Sequence, residues 1–166
     1  MPNSGLTTLN GSLRLLEGGV RLNDRNASNF DQELSYVRIT VTNAEALALF
    51  ATPKTLVPAP GAGRLLNFIS AVVYYKAGAT AFTTAAGRDL TVKYTNAAGT
   101  VLSNSLTTVG LADQATDQIR TLKQVSTDVT PVVNAPLVLH QLSANMTLGT
   151  GVFFVDVLYS IHTTGL

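Results

Sequence analysis

The feature that most constrains this chain is a succession of short, alternating, β-branched runs separated by turn residues. Tyr36-Val37-Arg38-Ile39-Thr40-Val41-Thr42 is the first clear one, and its composition suits a pleated, half-buried surface. Residues 55–57 form a short run, and residues 64–76 (Arg-Leu-Leu-Asn-Phe-Ile-Ser-Ala-Val-Val-Tyr-Tyr-Lys) form the longest. The long run's near-continuous apolar character predicts contact on both faces for part of its length, and its reach allows a bend on the way. Residues 89–96 alternate with Leu90, Val92 and Tyr94 on one face, and a turn at 97–100 leads into a strand at 101–106. Residues 137–142 and 152–162 are the last two strands. Turn signals recur every 8–12 residues or so, which predicts an antiparallel sandwich or barrel, and no 20–50-residue repeat supports a solenoid or propeller. The expected fold is therefore all-β: an antiparallel β-sandwich, jelly-roll-like, with one short helix and an extended N-terminal arm.

The helix is expected over 44–50. Thr42 stands three residues before Glu45, the spacing of a capping box, and Pro53 stops the run. Leu47 and Phe50, three apart, are expected to face the core. Residues 113–125 are ambiguous: Ala115, Ile119 and Leu122 have helical spacing, while 118–122 also alternate. Six prolines fall at segment boundaries, as strands require.

Residues 1–34 differ from the domain at 35–166. They carry seven charged residues among many Asn, Ser and Gly. Within them Leu13-Arg14-Leu15 and Val20-Arg21-Leu22 flank Leu16-Glu17-Gly18-Gly19, which reads as a hairpin. Leu13, Leu15, Leu16, Val20 and Leu22 are the expected protein–protein contact of an arm that orders against a neighbouring surface.

Charge narrows the function classes. Charged residues are 13% of 166, about half the usual ~25%. Eleven Lys and Arg against ten Asp and Glu leave no excess for gripping a polyanion, so nucleic acid is not an expected partner. The apolar runs fall short of the ~18 residues that span a bilayer, so neither is a membrane. A sparse surface charge also weakens the usual barrier to self-association. Cysteine is absent, which removes disulfides, thiolate metal sites and cysteine nucleophiles.

Candidate chemistry is thin. His140 and His162 each sit inside a run, without a neighbouring carboxylate in sequence, and read as ordinary strand histidines. Asp113 and Asp117 would share a face of a helix, yet 113–117 lacks the oxygen ligands of a calcium loop. Gly61-Ala62-Gly63-Arg64 looks like a phosphate loop, but a strand rather than a helix follows it. No Gly-x-Ser-x-Gly elbow marks a serine nucleophile. Tyr74, Tyr75 and Phe82 are candidate sugar-stacking rings, although neighbours on a strand point to opposite faces. No catalytic residue, metal or cofactor is expected, and a carbohydrate-binding jelly roll is the alternative from another class.

One stretch carries a resemblance. A short Ala/Leu helix, then Ala51-Thr52-Pro53-Lys54-Thr55-Leu56-Val57-Pro58-Ala59-Pro60-Gly61-Ala62-Gly63-Arg64, then a long apolar strand resembles small structural proteins of tailed bacteriophages. The specific motif is the turn, with Pro53, Pro58, Pro60, Gly61 and Gly63. The likeness extends loosely from Arg38 to Ile161 and leaves out residues 1–34. It implies a single-domain β-sandwich, homotrimeric, that decorates or cements a capsid by binding the major capsid protein. A tail, baseplate or fibre position is the alternative within the same class. It also implies residence in the virion after assembly in the host bacterial cytoplasm, where a disulfide-free core is suitable.

Overall fold

In the computed structural model of the chain, residues 12–16, 19–23, 33–125 and 128–164 are described. They fall into two compact units, Met1–Asp31 and Gln32–Leu166. In the first, β1 (Ser12–Leu16) and β2 (Gly19–Asn23) pair antiparallel. Leu13 is opposite Leu22, Leu15 opposite Val20, and Arg14 opposite Arg21. Residues 1–11, 17–18 and 24–32 of the expected arm lie outside the described residues.

The second unit is an antiparallel β-sandwich. Its strands are β3 (Glu33–Val41), β4 (Lys54–Val57), β5 (Arg64–Lys76), β6 (Leu90–Tyr94), β7 (Gln118–Lys123), β8 (Leu137–Gln141) and β9 (Val152–Thr163). One sheet has the order β3-β9-β5-β7, the other β4-β8-β6. Residues 101–106, expected as a strand, are isolated bridges instead: Val101 pairs with Lys93 and Leu106 with Leu90, along the free side of β6.

Alternation explains the core. Phe153, Val155 and Val157 of β9 and Ala71, Val73 and Tyr75 of β5 are buried and point between the sheets. The register of β5 on β9 shifts between Phe68 and Ser70, which leaves Ile69 as a bulge. That extra residue inverts the phase, so Leu66 and Phe68 on one side and Ala71 on the other all reach the same interior. β6 and β8 are buried on both faces. Across the layers the Tyr94 hydroxyl donates to the Leu66 carbonyl, tying β6 to β5.

Helix α1 (Asn43–Ala46) is shorter than the expected 44–50. Thr42 and Glu45 do form the capping box, with the Thr42 N–H donating to Glu45 Oε2 at 2.9 Å. Ala46 and Leu49 are buried in the core and half-buried Leu47 packs against it as expected, while Phe50 is exposed. One turn of helix is too short to repeat its spacing, and the chain leaves it as a turn after Ala46. The ambiguous 113–125 segment resolves to strand β7 over 118–123, with only Leu122 of that strand buried.

Candidate functional site

The outward face of the four-stranded sheet is the most distinctive surface among the described residues. Register sets three rows across it. Thr40, Phe154, Tyr74 and Ile119 form one; Arg38, Asp156, Val72 and Thr121 the next; Tyr36, Leu158, Ser70 and Lys123 the third. The rings of Tyr74 and Phe154 stack at 5.9 Å between centroids. Leu34, Tyr36 and Ile119 are 65%, 62% and 62% exposed, high values for large apolar side chains.

The charges on the β3 side of this face satisfy one another. Arg38 donates through Nε and Nη2 to the two oxygens of Asp156, at 2.6 and 2.7 Å. Those bonds hold the Asp156 carboxyl below its usual range and raise the guanidinium. Tyr36 is pushed up, first by its own hydrogen bond to Asp156. At the rim Tyr74 donates to Asp117, whose other oxygen accepts from the Ala77 N–H at 2.9 Å. Both bonds lower Asp117, the tyrosine's being the larger.

A second feature is an open cleft of about 640 Å³ at one end of the sandwich, with Asn67, Gln124, Asp128 and His162 among its lining residues. Gln124 Nε2 donates to Asn67 Oδ1 at 3.2 Å, and His162 Nε2 lies 3.0 Å from Ser160 Oγ. Among the described residues no three His, Asp or Glu side chains are grouped to hold a metal ion. No helix among them is long and apolar enough to cross a membrane.

No protein-family model and no curated protein matches the chain. Among solved structures, a chain of the cyanophage Pam1 capsid asymmetric unit aligns at a TM-score of 0.42 and 18% identity. The alignment covers 96% of this chain and 99% of that one. At that score the likeness carries no argument about function.

The residues singled out in the sequence are dispersed. Asp113 and Asp117 do not act as a pair: Asp113 Oδ1 accepts from the Gly110 N–H at 2.7 Å, and Asp117 serves Ala77 and Tyr74. Tyr75 and Phe82 are buried with Phe153, so they form no sugar platform with the outward Tyr74. Gly61 and Gly63, at φ 99° and 68°, shape the turn from β4 to β5. The Gly61 N–H donates to Asn134 Oδ1 at 3.0 Å, and the Gly63 carbonyl accepts from the Thr164 N–H at 2.8 Å. Pro58 and Pro60 precede this turn and Pro53 precedes β4. The motif is thus structural, linking the sheets. For Leu13, Leu15, Leu16, Val20 and Leu22 the backbone register is described, and their contacts lie outside the described side chains.

His140 is less ordinary than its sequence suggests. Its ring is buried, stacks on Phe50 at 5.9 Å, and neither nitrogen has a hydrogen-bond partner among the described residues. Burial first, and then Lys93, lowers its pKa; the Phe50 backbone acts weakly the other way without hydrogen-bond geometry. Lys93 is itself buried, with Nζ donating to the Ala97 carbonyl at 2.6 Å. The unfolded chain therefore binds the His140 proton at a higher pH than the folded one. This contribution to stability is complete above ~6.5, the unfolded value, and is lost as pH falls toward the folded value. H140L is expected to flatten the acid limb of a stability–pH curve and to add about 1 kcal/mol at neutral pH, because it removes a buried polar group without a partner. Urea unfolding of both proteins between pH 5 and 8 reads this, and parallel curves would refute it.

Sequence reasoning missed Leu34, Tyr36, Arg38, Asp156 and Ile119 as a surface. The available signal was parity: Leu34, Tyr36 and Arg38 occupy the phase opposite to Val37, Ile39 and Val41.

Proposed function

We propose that the chain is a non-enzymatic virion structural protein, a capsid decoration or cement protein that stabilises a phage head by binding between major capsid subunits. The observation that carries this reading is the outward sheet face, where exposed Leu34, Tyr36 and Ile119 share a face with an ion pair already satisfied within the chain. Such a face suits burial against protein, since it offers apolar area and its Arg38–Asp156 pair asks for no foreign counter-charge. The proline–glycine motif adds the family resemblance.

The strand order supports the jelly-roll form of this reading. The order β3-β9-β5-β7 over β4-β8-β6, with 101–106 beside β6, is eight strand positions wound between two sheets. The hairpin supports a docking arm. Its register pairs Leu13 with Leu22 and Leu15 with Val20, with Arg14 opposite Arg21 between them. A two-stranded ribbon by itself is marginal in water, and a docking arm of this kind gains stability from the surface it meets. The homotrimer rests on the resemblance. Imaging intact particles that carry a label on this chain is expected to place it on the capsid shell; label on the tail apparatus, or none on particles, would overturn the reading. Deleting residues 1–31, which leaves β3 and Leu34 in place, is expected to abolish particle binding.

A further inference from the structure

We propose that the free edge of β3 is where a second copy of this chain pairs, β3 against β3, antiparallel, extending the four-stranded sheet across a two-fold axis. This goes beyond the virion reading and holds or fails independently of it.

The sandwich has four sheet edges; two are guarded along their length, and a third, β7, is covered at its Lys123 end. β4 is four residues long, bulged between Thr55 and Val57, and bounded by Pro53 and Pro58. The free side of β6 is occupied by 101–106. On β7, Ser103 bridges to Gln124, the Asn104 N–H donates to the Lys123 carbonyl at 2.9 Å, and the Lys123 N–H donates to Asn104 Oδ1 at 2.6 Å. Short strands, prolines, bulges and covering segments are the means by which sheets prevent unwanted pairing.

Among the described residues β3 has none of these. It is nine residues long, contains no proline, and its register on β9 runs unbroken from Glu33 to Val41. Among the described residues its backbone pairs with β9 alone. Arg38, the charge that would repel a partner strand, is already neutralised by Asp156. Leu34 and Tyr36, two of the most exposed large apolar residues, lie on this strand.

Self-pairing fits this edge in charge and in geometry. Full overlap of the strand centres the axis on Val37, which sets Tyr36 beside the second copy's Arg38 and Leu34 beside its Thr40. No like charges meet, and the aromatic face gains a guanidinium neighbour. Each outward side chain pairs with an outward one, so both cores keep their faces. The preceding residues leave at the Glu33 end, and antiparallel pairing sends the two leading segments to opposite ends of the joint. A dyad contact differs from the head-to-tail contacts of a ring, so it coexists with a trimer and joins rings in pairs.

The absence of native cysteine makes the test clean. Full-length Y36C and R38C chains are mixed and mildly oxidised. The mixture is expected to give disulfide-linked dimer in roughly tenfold excess over either chain alone, because only the mixed pair sits directly opposite. An equal yield from an I119C control on β7 would overturn the proposal. Hydrogen exchange on the unmodified chain gives a second measurement that needs no variant. β3 amides are expected to exchange more slowly as protein concentration rises, and rates independent of concentration would overturn it.

Discussion

Truncating Phe153 to alanine is expected to cost about 3–5 kcal/mol of unfolding free energy and roughly 10–20 °C in Tm. Phe153 is fully buried, and its ring lies 5.1 Å from that of Tyr75 and 5.8 Å from that of Phe82. These three side chains come from β9, from β5 and from the loop before β6, so the truncation loosens two strands and a connection together. Burial on this scale supplies the largest share of a sandwich's stability, and the surrounding strands cannot collapse into the space while their ladders hold. Phe153→Leu, which retains most of the volume, is expected to lose less than half as much. Urea unfolding followed by tyrosine fluorescence measures both; a loss below about 1 kcal/mol for alanine would mean that the cluster is not the packing centre.

A glycine pair gives the second large effect. In Gly99→Ala the new Cβ would lie 1.6 Å from the Tyr94 carbonyl oxygen and 2.7 Å from its carbon. Both are backbone atoms of the turn that carries β6 toward 101–106, where the Tyr94 N–H donates to the Thr100 carbonyl at 3.0 Å and the Gly99 N–H to that of Asn96 at 3.0 Å. Relief requires the turn itself to move, at an expected cost of more than about 2 kcal/mol. Gly61→Ala meets nothing within 4 Å and bears only the conformational cost of φ 99°. That cost is about 1–2 kcal/mol. The ordering G99A below G61A below the parent in melting temperature checks the argument. The reverse order would place the constraint in φ rather than in space.

Much of the fold was legible because inward residues repeat. Val41, Leu90, Val92, Tyr94, Phe153, Val155 and Val157 all sit where alternation assigns them, and all are buried. Legibility failed where the chain departs from regular period. Residues 101–106 alternate only in part, with Ser103, Asn104 and Ser105 between the apolar positions, and Ser103 and Asn104 are used to cover β7 rather than to extend a ladder. The helix was overread because its capping box fixes a start but carries no information about length. Spacing assigns Phe50 to the core, yet it stacks on His140 of β8.

The surface was less legible than the core for a related reason. Outward positions on a strand tolerate nearly any residue, so Tyr36 and Ile119 look like noise until register places them on one face. The Arg38–Asp156 pair spans 118 residues of sequence, and nothing local announces it. His140 looks like an ordinary strand residue in sequence, which shows neither the ring of Phe50 stacked on it nor the buried Lys93 that acts on it.

The antiparallel ladder of β3 on β9 has a mechanical consequence. Glu33 is opposite Ile161, so the sandwich is entered and left at the same end of one strand pair. A pull between those two points would break the rungs one after another, as in peeling, rather than loading all of them at once in shear. Tension that enters through the leading segment is resisted best when the opposing force acts on the middle of the sheet, and least when it acts on the trailing end.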